Sequence, residues 1–245
     1  MMKKADFVVK SNIPITKNVM EMKLAGDTSD ITRPGQFVNI LIDGFFLRRP
    51  ISVCDCDGKI LTIIYKIVGK GTQKMAEMTE GTKLDVLTGL GNGYDLAVSG
   101  DFPLLIGGGA GVPPMYLLAK KLISLGVKVR VILGFNTRYE IFYENEFKKL
   151  GAEVIISTVD GSYGEKGFVT DVMQKDYSYI YCCGPEPMLK AVYKASETGA
   201  QFSFEERMGC GFGACMGCSC KTITGYKRIC KDGPVMFKEE ILWES

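Results

Sequence analysis

The chemistry of this chain is concentrated in its sulfur. Of nine cysteines, five fall between positions 210 and 230, beginning in the run Glu205-Glu206-Arg207-Met208-Gly209-Cys210-Gly211-Phe212-Gly213-Ala214-Cys215-Met216-Gly217-Cys218. Cys210, Cys215 and Cys218 form C-x4-C-x2-C, and Cys230 offers a further thiol after a gap of eleven residues. That is the spacing of plant-type [2Fe-2S] ferredoxins. Four thiolates around two irons and two sulfides carry net negative charge, so the loop must wrap closely and aim backbone N–H groups at sulfur. Gly209, Gly211, Gly213 and Gly217 give it the freedom to do so. Zinc commonly takes two C-x2-C pairs, and one occurs here. Cys220 put in for Cys218 would give C-x4-C-x4-C, so it reads as a spare thiol, yet spacing alone leaves it a rival of Cys230 for the fourth place. Cys54, Cys56, Cys182 and Cys183 are too scattered to join the loop.

Three further segments have the residue types of anion and ring recognition. Gly107-Gly108-Gly109-Ala110-Gly111-Val112-Pro113-Pro114 follows an apolar run and opens a helical pattern, where backbone N–H groups and the helix dipole favour a phosphate. It departs from G-x-G-x-x-G, because positions 112 and 114 are Val and Pro. The acidic residue that usually meets a ribose is also absent from Gly134-Phe135-Asn136-Thr137-Arg138, which argues against a standard Rossmann dehydrogenase. Arg138 keeps NADP open beside NAD, a solvated loop arginine being the plainer account. Cys183-Gly184-Pro185-Glu186-Pro187-Met188 makes a second strand-to-helix turn, with proline well placed in the first turn. In Leu47-Arg48-Arg49-Pro50-Ile51-Ser52, an arginine can pair with a pyrophosphate and the Ser52 hydroxyl can reach a ring nitrogen; a solvated basic pair is the plainer account here too.

The elements that must position these residues fall into three stretches. Through the first hundred residues, short β-type runs (ADFVVKSNIPI, QFVNILI, ISVCD, KILTIIYKIV, KLDVLTGL) alternate with turn signals at Arg33-Pro34-Gly35, Asp43-Gly44, Asp57-Gly58 and Glu80-Gly81. This spacing predicts a small antiparallel barrel or sandwich, with a helix over residues 71–79 crossing one end. From Asp101 the rhythm becomes strand, glycine turn, helix: FPLLIGG then PPMYLLAKKLISLG, VKVRVILG then IFYENEFKKLG, EVIISTVDG then FVTDVMQK, YSYIYCCG then PEPMLKAVYKASETG. A repeated βα pattern with unalternating apolar strands predicts a parallel, doubly wound sheet. Both glycine turns then lie at carboxyl ends of strands, where such sheets bind ligands. The tail from about residue 205 is rich in Gly and Cys and has little periodicity, with order returning only briefly from Pro234 to Trp243. The predicted division is 1–100, 101–204 and 205–245.

Composition narrows the rest. With 245 residues, 46% hydrophobic and 24% charged, the chain has enough length for two domains and an appendage and no compositional mark of disorder. Thirty Lys and Arg nearly balance 28 Asp and Glu, so no basic field draws nucleic acid or anionic membrane. There is no His anywhere, which removes the usual general base, Ser-His and Cys-His nucleophile pairs and most catalytic zinc sites. No apolar run has the length of a signal peptide core or a membrane span, so the expected location is cytoplasmic. In a reducing cytosol, clustered thiols read as metal ligands sooner than as disulfides.

The order LRRPIS, TIIYKIVGKGT, KLDVLTGLGNGY, LLIGGGAGVPP, IFYENEFKKL, YCCGPEPML, EERMGCGFGACMGC and then Cys230-Lys231-Asp232-Gly233-Pro234-Val235-Met236-Phe237 resembles the ferredoxin–NADP reductase superfamily over essentially the whole chain. Within it, the sequence is most similar to the electron-transfer subunits of NAD-dependent dihydroorotate dehydrogenase B. The resemblance implies a FAD-binding β-barrel, an NAD-binding α/β sheet and a small C-terminal [2Fe-2S] segment. It implies FAD on Arg49, Pro50, Ile51 and Ser52, with Ile64, Tyr65, Lys66, Gly71 and Thr72 also lining the site. It places NAD at Gly107, Gly108, Gly109 and Gly111 and at Cys183, Gly184, Pro185 and Met188, and assigns the fourth cluster ligand to Cys230 beside Cys210, Cys215 and Cys218. The wider superfamily has Arg-x-Tyr-Ser, and Ile51 stands where the tyrosine would stack.

The implied partner is an FMN-containing catalytic subunit, in a heterotetramer of two of each, with the cluster tail at the interface. Electrons from dihydroorotate would pass from that FMN through [2Fe-2S] and FAD to NAD+, in pyrimidine (UMP) biosynthesis. No catalytic acid or base is implied in this chain, which fits the missing histidine. The alternative within the resemblance is the flavin and iron–sulfur subunit of an NAD(P)H-linked reductase serving ferredoxin, sulfur or sulfite. Outside it stands a redox-sensing or zinc-stabilised binding module. Trp243 could cap the flavin or an interface, ordinary packing being the plainer account.

Overall fold

A computed structural model describes residues 2–243, so the outermost ends of the first and third predicted segments lie outside the described residues. Six strands, β1 (Lys3–Pro14), β2 (Val19–Ala25), β3 (Phe37–Ile40), β4 (Arg49–Cys56), β5 (Ile60–Lys66) and β6 (Lys83–Leu90), close into an antiparallel barrel in the order β1-β2-β5-β4-β3-β6. The helix α1 (Lys70–Ala76) enters between β5 and β6 and buries Met75 in the barrel interior with Phe7, Met22, Leu24, Ile40 and Ile63. The barrel strand missing from the sequence reading is β2. Its sequence VMEMKLA does alternate, with Met20, Met22 and Leu24 inward, but Met, Glu, Lys and Ala are weak strand formers.

The second unit contains β7 (Leu104–Gly108), α2 (Val112–Ser124), β8 (Arg130–Phe135), α3 (Glu144–Leu150), β9 (Glu153–Thr158), the two-residue β10 (Glu165–Lys166), β11 (Ile180–Cys183), α4 (Glu186–Ala195) and β12 (Ala200–Ser203). The strands from β7 to β12 run parallel, in the order β10-β9-β8-β7-β11-β12. Leu118, Leu122 and Phe147 of α2 and α3 pack on one face of the sheet, and Leu189 and Val192 of α4 pack on the other, so it is doubly wound. Two predicted helices are shorter than their patterns. The segment FVTDVMQK forms only a 3-10 turn at Val169–Val172, and α3 begins at Glu144 because Tyr143 holds a left-handed φ of 67°.

The tail is less irregular than its composition implied. After β12 it forms the hairpin β13 (Ser219–Thr222) and β14 (Gly225–Arg228), then returns as β15 (Val235–Phe237), which pairs antiparallel with β12 and completes a seven-stranded sheet. It is also tied to the barrel. Asn92 donates its side-chain amide to the carbonyls of Asp232 and Val235 at 3.3 and 2.7 Å and accepts from the Val235 N–H at 3.1 Å. Trp243 sits edge-on to Tyr193, with ring centroids 5.1 Å apart, and against Phe202 and Phe204, a packing role as its sequence context implied. Among the described residues, no helix is long and apolar enough to cross a membrane.

Candidate functional site

The two arginines of LRRPIS have separate roles. Arg48 turns back to the barrel, donating to the carbonyls of Asn39 and Asp85 at 3.3 and 3.1 Å. It also stands 2.8 Å from the Asp85 carboxylate, an attraction of charge without aligned hydrogen-bond geometry. Arg49 has no carboxylate within ion-pair reach among the described residues, and its guanidinium lies 4.8 Å over the Phe45 ring. Gly71 makes room for it, since a Cβ there would stand 2.2 Å from Arg49 Nε. Pro50, Ile51 and Ser52 follow half-buried on β4, in register with Asn39, Val38 and Phe37 of β3. Thr72 is buried at the start of α1, where its hydroxyl accepts from the N–H of Val68 at 2.9 Å and of Gly69 at 3.2 Å.

Ile64, Tyr65 and Lys66 end β5 and line a 230 Å³ cleft that Gly109, Pro113 and Phe135 of the second unit line from the other side. Their side chains do not act alike. Tyr65 points into the barrel, where its hydroxyl donates to Asn12 Oδ1 at 2.9 Å and burial pushes its pKa up to about 12. Ile64 packs in the core shared with α2, and Lys66 is exposed.

The two glycine turns interlock. A Cβ on Gly111 would lie 2.1 Å from the Cys183 carbonyl oxygen, and one on Gly108 would lie 2.4 Å from Met188 Sδ. Gly107 stands close to the Val112 backbone and Gly184 close to the Met188 methyl, so all seven predicted residues of these turns other than Gly109 are in mutual contact or adjacent in the chain. Gly109 takes a φ of +51° with open space before it, at the entrance to the 13-residue α2, whose first turn has no acidic residue.

One acidic group was hidden from the sequence. Glu140, in the 3-10 turn Arg138–Glu140, folds back so that Oε2 accepts from the Asn136 N–H at 3.1 Å and its side-chain amide at 3.0 Å. A carboxylate therefore does stand at the carboxyl end of β8, in the same cleft as Gly109. The signal was displaced by one turn beyond the strand end, where a fixed-offset motif does not look. Arg138 is exposed, its backbone N–H held by the Ser162 hydroxyl at 2.8 Å.

The four thiols group in two pairs. Cys210 Sγ accepts from the N–H groups of Ala214 and Cys215 at 3.2 and 3.4 Å, while Cys215 Sγ accepts from those of Cys210 and Gly217, both at 3.5 Å. Cys218 and Cys230 are both buried, and the Cys230 N–H donates to Cys218 Sγ at 3.4 Å. Desolvation alone would raise the Cys210 thiol, but backbone N–H groups of Cys215, Phe212 and Ala214 outweigh it and bring its pKa down to about 6. Burial, then the neighbouring Cys218 thiol, pushes Cys230 up to about 12. Such a donor set fits an anionic binuclear centre with two thiolates per iron, with N–H groups already aimed at sulfur. Among the described residues, no three Cys, Asp or Glu side chains gather as the shell of a single ion. Cys220 leaves the loop on β13 and lines a separate 470 Å³ cavity with Lys221, Glu206, Arg207 and Trp243.

Comparison with known proteins agrees with this geometry. Residues 205–242 match the iron–sulfur cluster binding domain of dihydroorotate dehydrogenase B, and residues 105–194 match the oxidoreductase NAD-binding domain. Among solved structures, that of an NADH-dependent reduced ferredoxin–NADP oxidoreductase, described for flavin-based electron bifurcation, superposes with a TM-score of 0.87 at 29% identity, covering 97% of this chain and 90% of the other. A ferredoxin reductase of carbazole 1,9a-dioxygenase shares the fold, with a TM-score of 0.70 at 22% identity over 79% of this chain and 65% of its own. Two relatives named dihydroorotate dehydrogenase B (NAD(+)), electron transfer subunit, match at similar levels. The one from Fusobacterium nucleatum is 46% identical over 98% of this chain and 99% of its own, and that from a Geobacillus species is 44% identical over 99% and 100%. This is an NAD-linked oxidoreductase subunit that works with FAD, a [2Fe-2S] cluster and NAD. The chain belongs to the family of electron-transfer subunits of NAD(+)-dependent dihydroorotate dehydrogenase B.

Proposed function

We propose that this chain takes electrons from the FMN of a dihydroorotate-oxidising subunit and delivers them, by way of [2Fe-2S] and FAD, to NAD+ in pyrimidine biosynthesis. The observation that carries the reading is the pairing of Cys210 with Cys215 and of Cys218 with Cys230, each supplied with backbone N–H donors. When bound, FAD joins one-electron exchange with the cluster to two-electron hydride exchange with NAD+. The protein supplies placement. Arg49, with no carboxylate in ion-pair reach among the described residues, holds the FAD pyrophosphate; Pro50, Ile51 and Ser52, with Ile64 to Lys66, Gly71 and Thr72, shape its bed. The interlocked turns of Gly107 to Gly111 and Cys183 to Met188 receive NAD, and Glu140 accepts from its ribose hydroxyls and repels a 2′-phosphate.

Division into units at 1–100, 101–204 and 205–245 serves this role, each unit holding one cofactor. Phe212 (42% exposed) and Met216 (55% exposed) beside exposed Cys215 form an apolar rim suited to a partner subunit, in a cytoplasmic assembly of two of each chain. The decisive experiment is co-purification with the dihydroorotate-oxidising subunit, followed by a dihydroorotate-dependent NAD+ reduction assay. If the pair reduces only artificial acceptors and never NAD+, the reading fails. The likeness to the ferredoxin–NADP oxidoreductase favours a second reading, an NAD(P)H-linked reductase subunit serving ferredoxin. Reduction of ferredoxin, with NADPH preferred over NADH, would support that one instead.

A further inference from the structure

Asn39 is out of place in its own strand. β3 reads FVNI and is buried at every position, so the pleat offers Asn39 a core site that an apolar residue would fill at lower cost. It is 1% exposed, and its Oδ1 has no donor among the described residues. A buried acceptor left unmade is costly and asks for a reason. The other half of the amide supplies one. Asn39 Nδ2 donates to the carbonyl oxygen of Cys210 at 3.2 Å, 171 positions away, and because that carbonyl can only accept, the orientation of the amide is settled. The contact is close enough to dictate its neighbour. A Cβ on Gly211 would lie 2.2 Å from Asn39 Nδ2, at a backbone φ of +79°.

The backbone of the same residue faces the flavin strand. Asn39 is in register with Pro50, which has no N–H to give, and Arg48 donates to the Asn39 carbonyl at 3.3 Å. One residue thus touches the first cluster cysteine with its side chain and the predicted FAD strand with its main chain.

We infer that Asn39 is a positioning residue that fixes the Cys210 loop against the FAD strand and so sets the relation between the cluster and the flavin. The inference rests on the cofactor placement proposed above. It is tested in the full chain with Asn39→Ala, and with the near-isosteric Asn39→Leu, which keeps the volume, loses the donor without burying a charge and carries the test if the alanine variant does not fold. Iron, acid-labile sulfide and FAD per chain should stay at wild-type values, and NADH should reduce the flavin at an unchanged rate. Amide exchange over residues 210–212 should quicken about tenfold, the factor that corresponds to about 1.4 kcal/mol. The cluster should show an altered electron paramagnetic resonance spectrum and midpoint potential, and its reduction by NADH should slow. Unchanged exchange, spectrum and potential in both variants would overturn the inference alone. So would joint loss of FAD and sulfide from a folded variant, since that marks Asn39 as general support for the barrel. A wild-type chain without sulfide or FAD would instead sink the placement beneath it.

Discussion

The proposed nucleotide turns and the cysteine loop would both offer backbone N–H groups to an anionic guest, and they are built in opposite ways. The turns at Gly107 to Gly111 and Cys183 to Met188 sit at the ends of β7 and β11, strands buried at nearly every position, and are pressed into shape by each other. Their form is a product of packing. The loop from Gly209 to Cys218 has no regular element, several exposed residues and left-handed backbone at Gly211, Gly213 and Met216. What orders it is a set of hydrogen bonds to sulfur, a donation from Arg228 to the Gly213 carbonyl at 2.9 Å, and the contact with Asn39. Packing tolerates the absence of a guest, whereas a loop of thiols and N–H groups is completed by its metal.

The contrast is broken most severely at the cysteines. Cys218→Ser or Cys230→Ser should abolish acid-labile sulfide and electron transfer from the catalytic partner while NADH oxidation by a flavin-level dye continues. Cys220→Ser should leave sulfide at the wild-type level, and loss of sulfide in that variant would return Cys220 to the ligand set. Next comes Gly111→Ala, which forces a methyl group against the Cys183 carbonyl. Overpacking of this kind costs about 1–3 kcal/mol, and at about 2–4 °C per kcal/mol the melting temperature should drop accordingly, with KM for NADH raised and sulfide unaffected. Glu140→Gln removes charge without volume, so the preference in kcat/KM for NADH over NADPH should narrow by about tenfold. A ratio that does not move would take Glu140 out of coenzyme recognition.

The smallest effect belongs to the barrel. The Arg48 guanidinium holds the Asp85 carboxyl below the usual carboxylate range against the opposing cost of burial, with Lys4 adding to it. A carboxyl with a depressed folded-state pKa contributes stability above its unfolded value, near 4, and that contribution is lost as pH falls below it. Asp85→Asn should therefore lower stability slightly at pH 7, where the contribution is fully present, and converge with the wild type as pH falls through that window, as followed by circular dichroism.

Sequence alone went furthest where chemistry fixes spacing. C-x4-C-x2-C is legible because iron and sulfide impose distances on a short loop, and GGGAG is legible because a strand must turn into a helix there without side chains. The fourth cysteine was not legible from spacing, since it depends on a hairpin that brings Cys230 beside Cys218 and carries Cys220 away. Glu140 was missed because its role depends on a turn that folds the side chain back to Asn136. β2 was missed for its composition, whereas β15, three residues long, showed only as a brief return to order with no period to mark it as a strand. Tyr65 lines the cleft, yet its hydroxyl turns to Asn12 and the barrel interior, an orientation that no pattern in the sequence displays.

The return of the chain as β15 has a mechanical meaning. The segment that leaves β12 with the cysteines comes back to hydrogen-bond with β12 itself, and on the way Asn92 grips it from the end of the barrel. The tail is therefore a rivet through two plates. Any swing that parted the barrel from the sheet would have to shear the β15 ladder or the Asn92 contacts, so the three proposed cofactor sites share one braced frame.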